Sequence, residues 1–191
     1  GLSRDAILAR AGEAGCTPTA WLLGAFARAL RERLQRSSLM ILTPLSQRTR
    51  PALQPIVGCC NVMHPVVIGP ADAVPARVVQ RELIDAYDRP LAPFTDIVRA
   101  VQAQSKARGP AVEFGFALRT GSPFAPALPG VETRPLAGPT PAARFPIALL
   151  VDDSGVSMSA SLVAPAGSEA AGLLPELAGE LDRCLADPGA P

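Results

Sequence analysis

The stretch P-L-S-Q-R-T-R-P-A-L-Q-P-I-V-G-C-C-N-V-M-H-P-V-V-I, residues 44–68, decides how this chain is read. It holds Arg48 and Arg50, a Gly58-Cys59-Cys60 step and the chain's single histidine, His64. Just before and within it, residues 39–43 (L-M-I-L-T) form a continuous apolar run, the pattern of a covered strand. At its end, V-M-H-P-V-V-I reads as a second strand. Pro65 assigns that strand to an edge or a bulge, because proline donates no ladder hydrogen bond. Two strands joined by a polar, arginine-bearing loop frame the question of whether the loop is an active site or one wall of one.

Working outward, residues 17–36 read as a long helix. Thr17 is the cap and Pro18 occupies the first helical position. Trp21, Leu22, Leu23, Ala25, Phe26, Ala29 and Leu30 cover more than one side of it, so burial on several sides is expected, with Arg31 to Arg36 emerging at its end. Ser3 and Gly15 bracket a shorter helix before it. Downstream, residues 74–88 form a helix with Val74, Val78 and Tyr87 near one face. In the next helix Phe94, Ile97, Val98 and Val101 repeat at helical spacing. V-E-F-G-F-A-L alternates strictly, which predicts a half-buried strand with Val112, Phe114, Phe116 and Leu118 on one side.

Residues 120–141 are rich in Gly and Pro and read as a long excursion from the core. Two further strands flank a turn at Asp152-Asp153-Ser154-Gly155. In the second of them Ser157, Ser159 and Ser161 share the wet face. A last helix over residues 174–185 carries Leu174, Leu177, Leu181 and Leu185. Helices and strands in this order predict an α/β fold, a two-layer sandwich with helices packed on a mixed β-sheet.

Composition narrows the function classes. The chain has 191 residues, 48% of them hydrophobic and 18% charged, which suits a packed domain or half of a larger one. A net charge of +1 offers no field for nucleic acid or an acidic membrane. No apolar run reaches the length of a membrane span, and no charged region followed by an apolar one suggests secretion. The four cysteines, Cys16, Cys59, Cys60 and Cys184, match no zinc spacing. Free thiols and a cytoplasmic location are expected, with no metal. No G-x-S-x-G occurs. The Asp152–Gly155 segment suits a turn better than a metal site.

The segments in order resemble the second half of the condensation domains of nonribosomal peptide synthetases. G-C-T-P-T-A-W-L-L-G-A-F-A-R-A-L-R-E-R-L is similar to the long helix that opens the family's C-terminal lobe. A strand and a P-x-x-x-R-x-R-P-x-L segment follow, here Pro44 through Arg48, Arg50 and Pro51 to Leu53. The family's V/I-G-x-x-x-N-x-x-P segment is matched at Val57, Gly58 and Pro65. The asparagine position is taken by Val62, and Asn61 lies one residue early. The related epimerization domains have G-x-x-x-x-M-x-P-V, which Gly58, Met63, Pro65 and Val66 also fit. Ala92-Pro93-Phe94-Thr95 matches the family's later P-F segment, with Arg89 and Leu91 replacing its histidine and acidic residue.

The resemblance implies the chloramphenicol-acetyltransferase-like superfamily, whose domain is a V of two lobes. Residues 1–191 would be the C-terminal lobe, with residues 120–141 as a crossover loop. It implies a parent acyl or peptidyl transferase that joins a carrier-bound amine to a carrier-bound thioester. No cofactor would be bound directly, and phosphopantetheine arms of donor and acceptor carrier proteins would deliver the substrates. The other partner would be the N-terminal lobe of the same domain.

The family's H-H-x-x-x-D-G motif lies on that first lobe. One histidine cannot form it, so no catalytic residue is expected in this chain and the chain alone is expected to be inactive. An arginine at position 48 would pair with the motif's aspartate, in a fixed fork that supports the site, with Arg50 as the fallback if the register slips. Gly58, Asn61, Val62 and His64 would line a tunnel wall. Two alternatives stay open: a degenerate noncatalytic domain that recruits a carrier protein or tailoring enzyme, and an acyltransferase of the same superfamily acting on an alcohol.

Overall fold

The computed structural model describes residues 3–70, 75–88, 92–105, 112–121, 129–132 and 143–187. The elements run α1 (Arg4–Glu13), α2 (Pro18–Leu34), β1 (Leu39–Ser46), a 3-10 turn (Pro51–Leu53), β2 (Asn61–Ile68), α3 (Pro75–Asp88), α4 (Phe94–Ser105), β3 (Phe114–Thr120), β4 (Ile147–Asp153), β5 (Met158–Val163) and α5 (Glu169–Ala186). The strands form one sheet in the order β2-β1-β3-β4-β5. The three inner strands β1, β3 and β4 are parallel, and each edge strand pairs antiparallel with its neighbour. This is the two-layer mixed α/β sandwich that the element order predicts.

Helix α2 is the hub. The Thr17 hydroxyl accepts from the Ala20 N–H at 3.2 Å, and Pro18 follows at the first position, as the sequence predicts. Trp21, Phe26, Leu22, Leu23 and Leu30 are essentially fully buried, between the sheet on one side and α3 and α5 on the others. Gly24 allows the closest approach. A Cβ there would lie 2.7 Å from the Ala76 nitrogen, so α3 packs backbone to backbone on α2. The sheet answers with Ile41, Val66, Phe114, Phe116, Leu149 and Val151, all in the same core.

Four expectations need correction. The buried residues of α3 are Ala76, Val78, Val79, Leu83 and Ala86, so Val78 is inside as expected, while Tyr87 is 48% exposed. Small Ala76 fits where the α2 backbone approaches at Gly24. Val74 lies outside the described residues. Strand β3 is central and buried on both faces only at its start, where a side chain at Gly115 would overlap the Phe145 ring; its second face opens at the exposed Arg119. Strand β4 runs on through Asp153, so the turn falls at Ser154–Ser157, closed by Ser154 N–H to the Ser157 carbonyl at 3.0 Å. Helix α5 starts at Glu169 with Ser168 as its cap, and Pro175 sits inside it. Of the proposed crossover loop, residues 122–128 and 133–141 lie outside the described residues, as do Arg89 and Leu91.

Candidate functional site

The loop between β1 and β2 is organised by Arg48. Its Nη1 donates to the Leu53 and Gln54 carbonyls at 2.9 and 3.1 Å, and its Nη2 to the Gly58 carbonyl at 2.9 Å. The cation therefore sits at the C-terminal end of the 3-10 turn, where unsatisfied carbonyls and the local dipole favour it. Its backbone N–H donates to the Ser46 hydroxyl at 3.3 Å, which ties the loop to the end of β1. A guanidinium has five N–H donors. Among the described residues, these bonds leave the Nε–H and one Nη2–H without a protein acceptor.

Arg50 stands exposed at the start of the 3-10 turn, where its carbonyl accepts from the Leu53 N–H at 2.9 Å. Gly58 has φ of +153°, a backbone setting that side chains disfavour. Beside it Val57 is fully exposed and Ile56 is 44% exposed. Asn61 opens β2 on the surface, opposite Ser46. Val62 lies opposite Leu45, and His64 opposite Thr43. His64 is half-buried, and its Nε2 has no hydrogen-bond partner among the described residues. Burial pushes its pKa down from the ordinary histidine value, opposed more weakly by Glu82. The imidazole is thus held toward its neutral form.

The structure brings Asn61 to a cleft of about 570 Å³ at the C-terminal ends of the parallel strands β1 and β3. That volume falls within the range of small-molecule sites. Arg48, Gly58, Val62 and His64 do not line it. Thr17, Thr43, Ser46, Gln80, Tyr87 and Arg119 do. Gln80 accepts from both the Thr17 N–H and the Thr17 hydroxyl at 2.9 Å, fixing the start of α2 against α3. Arg119 donates to Asp152, directly opposite on β4, at 2.8 Å. Sequence reasoning missed most of this lining because its members come from five separated elements. Only Thr17 carried a local signal, its cap.

A second cleft of about 560 Å³, between α5 and β4–β5, has mainly aliphatic walls with few polar groups. Near it Arg4 donates through Nε to Asp153 at 2.7 Å, and the Gly155 N–H donates to the same carboxylate at 2.8 Å. These partners hold the Asp153 carboxyl below its usual range. No described helix is long and apolar enough to cross a membrane.

The sequence matches no family model and no curated protein. Solved structures match its fold. The condensation domain from the monacolin K polyketide synthase MokA superposes with a TM-score of 0.77 at 13% identity, over 97% of this chain and 45% of that one. The PapA2 acyl transferase gives 0.70 at 14% identity, over 95% and 41%. SgcC5 from Streptomyces globisporus gives 0.68 at 18% identity, over 98% and 46%. The chain thus spans less than half the length of these proteins. Its architecture is that of one lobe of the chloramphenicol-acetyltransferase-like fold.

Proposed function

We propose that this chain is the C-terminal lobe of a condensation-type domain, supplying one wall of a tunnel in which a carrier-bound amine attacks a carrier-bound thioester to give an amide. The observation that carries the reading is the coverage: 97% of this chain lies on 45% of a condensation domain. The segment around Arg48, Gly58 and Pro65 lies in the loop between β1 and β2 and in β2 itself, which would supply that wall.

Chemistry in such a domain needs a group that positions the amine and steadies the developing tetrahedral charge. This lobe holds no H-H-x-x-x-D-G, so that group belongs to the partner lobe. Arg48 supports it. The Nε–H and the remaining Nη2–H are donors that suit a carboxylate on the partner lobe, and the three carbonyl bonds hold the guanidinium in place for it. The cleft beside Asn61 takes part of the substrate or its phosphopantetheine tether. An acyltransferase acting on an alcohol is the second reading, favoured by the comparable fit to an acyl transferase fold. It uses the same lobe and differs in the nucleophile.

The test is acyl transfer from a loaded carrier protein, offered a carrier-bound amine or an alcohol. This chain alone is expected to give no product above background. The chain joined to a lobe bearing H-H-x-x-x-D-G is expected to give the amide. Product from this chain alone overturns the reading, and ester formation without amide selects the acyltransferase.

A further inference from the structure

The C-terminal half of α5 faces α2 with two potential metal ligands four residues apart, Glu180 and Cys184. Residues at that spacing lie on one helix face, one turn apart. Glu32 of α2 meets them, and one ligand atom from each of the three lies within 4.8 Å of the others. Glu180 is 8% exposed and Cys184 1%. The independent mark of a ligand is the Glu180 Oε1 atom. It is buried with no hydrogen-bond partner among the described residues, although its other oxygen pairs with Arg183. A buried carboxylate oxygen left unpartnered costs free energy that a cation would recover.

We propose that Glu32, Glu180 and Cys184 form a site for a borderline-soft divalent cation of the zinc class, which clamps α5 onto α2. One thiolate and two carboxylates suit zinc better than calcium or magnesium, which take oxygen ligands alone. The fourth position opens to water on the side of Glu32, whose side chain is 42% exposed.

Local charge fits. Arg28 donates to Glu32 at 2.8 Å and to Asp187 at 3.1 Å, and Arg183 pairs with Glu180. With the thiol ionised, Glu32, Glu180 and Cys184 carry three negative charges, more than these two guanidinium groups offset. The two arginines hold the carboxylates from behind, as outer partners of metal ligands do. A thiol must lose its proton to ligate, so binding releases a proton. The motif escapes cysteine spacing rules because its third ligand lies on another helix.

The experiment titrates the full chain, carrying Cys59→Ser and Cys60→Ser to remove the exposed thiols, with cobalt(II) and then zinc. One equivalent of cobalt should give a thiolate-to-cobalt charge-transfer absorption that zinc abolishes. A hundredfold excess of zinc over its dissociation constant should raise the melting midpoint by about 5 °C or more. Cys184→Ser should abolish the absorption. Glu180→Gln, which keeps the volume and retains a folded chain, should weaken cobalt binding by more than the ~10–100-fold that loss of an outer partner costs. Absence of the absorption, its persistence in Cys184→Ser, or unchanged affinity in Glu180→Gln overturns the assignment.

Discussion

Helix α2 and the loop between β1 and β2 both carry large apolar side chains, and the fold treats them in opposite ways. Trp21 and Phe26 of α2 are at most 2% exposed, enclosed by helices and sheet. Ile56 and Val57 of the loop face outward, and the loop is held by three carbonyl bonds from Arg48. Non-directional burial orders the first region, and directed hydrogen bonds order the second. A loop held by hydrogen bonds keeps its shape while leaving its apolar side chains exposed.

That contrast breaks first in the core. Phe26→Ala should cost about 3–5 kcal/mol, because it removes a fully buried ring and leaves a cavity. Urea unfolding measures it, and a loss near zero would mean that α2 is not the hub. Gly24→Ala is sharper. Helix propensity alone favours alanine by about 1 kcal/mol. The contact with the Ala76 backbone predicts instead a net loss of about 1–3 kcal/mol from overpacking. A rise in melting midpoint would show that α3 does not seat on α2 as described.

In the loop the expected effects are smaller and local. Arg48→Ala in this chain should lower global stability by about 1 kcal/mol or less, since water can reach the freed carbonyls. Amide exchange across residues 53–60 should nevertheless quicken while the strands stay protected. Arg48→Lys should restore this only in part, because an ammonium cannot span three carbonyls at once. In a two-lobe protein the same Arg48→Ala change should cost about 3–5 kcal/mol if it strands a partner carboxylate, while Arg50→Ala stays mild. The reverse ranking would shift the register of the wall.

The smallest expected effect is a pH dependence from His64. Its folded pKa lies below the unfolded value of about 6.5. The unfolded chain therefore takes up a proton that the folded chain resists. The contribution is present above about pH 6.5 and is lost as pH falls through the folded value. The midpoint should drop on going from neutral pH toward pH 5, and His64→Gln should flatten that part of the profile. An unchanged slope would place His64 in solvent.

Much of this was legible from local signals. The Thr17–Pro18 start of α2, its burial on several sides, the edge position of the Pro65 strand and the wet serine face of β5 all follow from rules that span a few residues. The resemblance carried the lobe architecture. The leucine stripe marks α5 only from Leu174, whereas its hydroxyl cap, Ser168, lies earlier and Pro175 sits inside the helix. The α3 stripe was misread at Tyr87 because large side chains draw attention, while the contact at Gly24 uses Ala76.

Arg48 marks the boundary. Its position could be read from P-x-x-x-R-x-R-P, but its three carbonyl acceptors depend on how the next ten residues fold back on it. The cleft and the Glu32–Glu180–Cys184 cluster lie beyond that boundary altogether. Sequence determines which residues share a helix face or a strand face, because 3.6- and 2-residue periods are local geometry. Which faces then meet is decided by packing between residues up to 175 positions apart. Only that packing sets Glu180 against Glu32, or Thr17 beside Gln80.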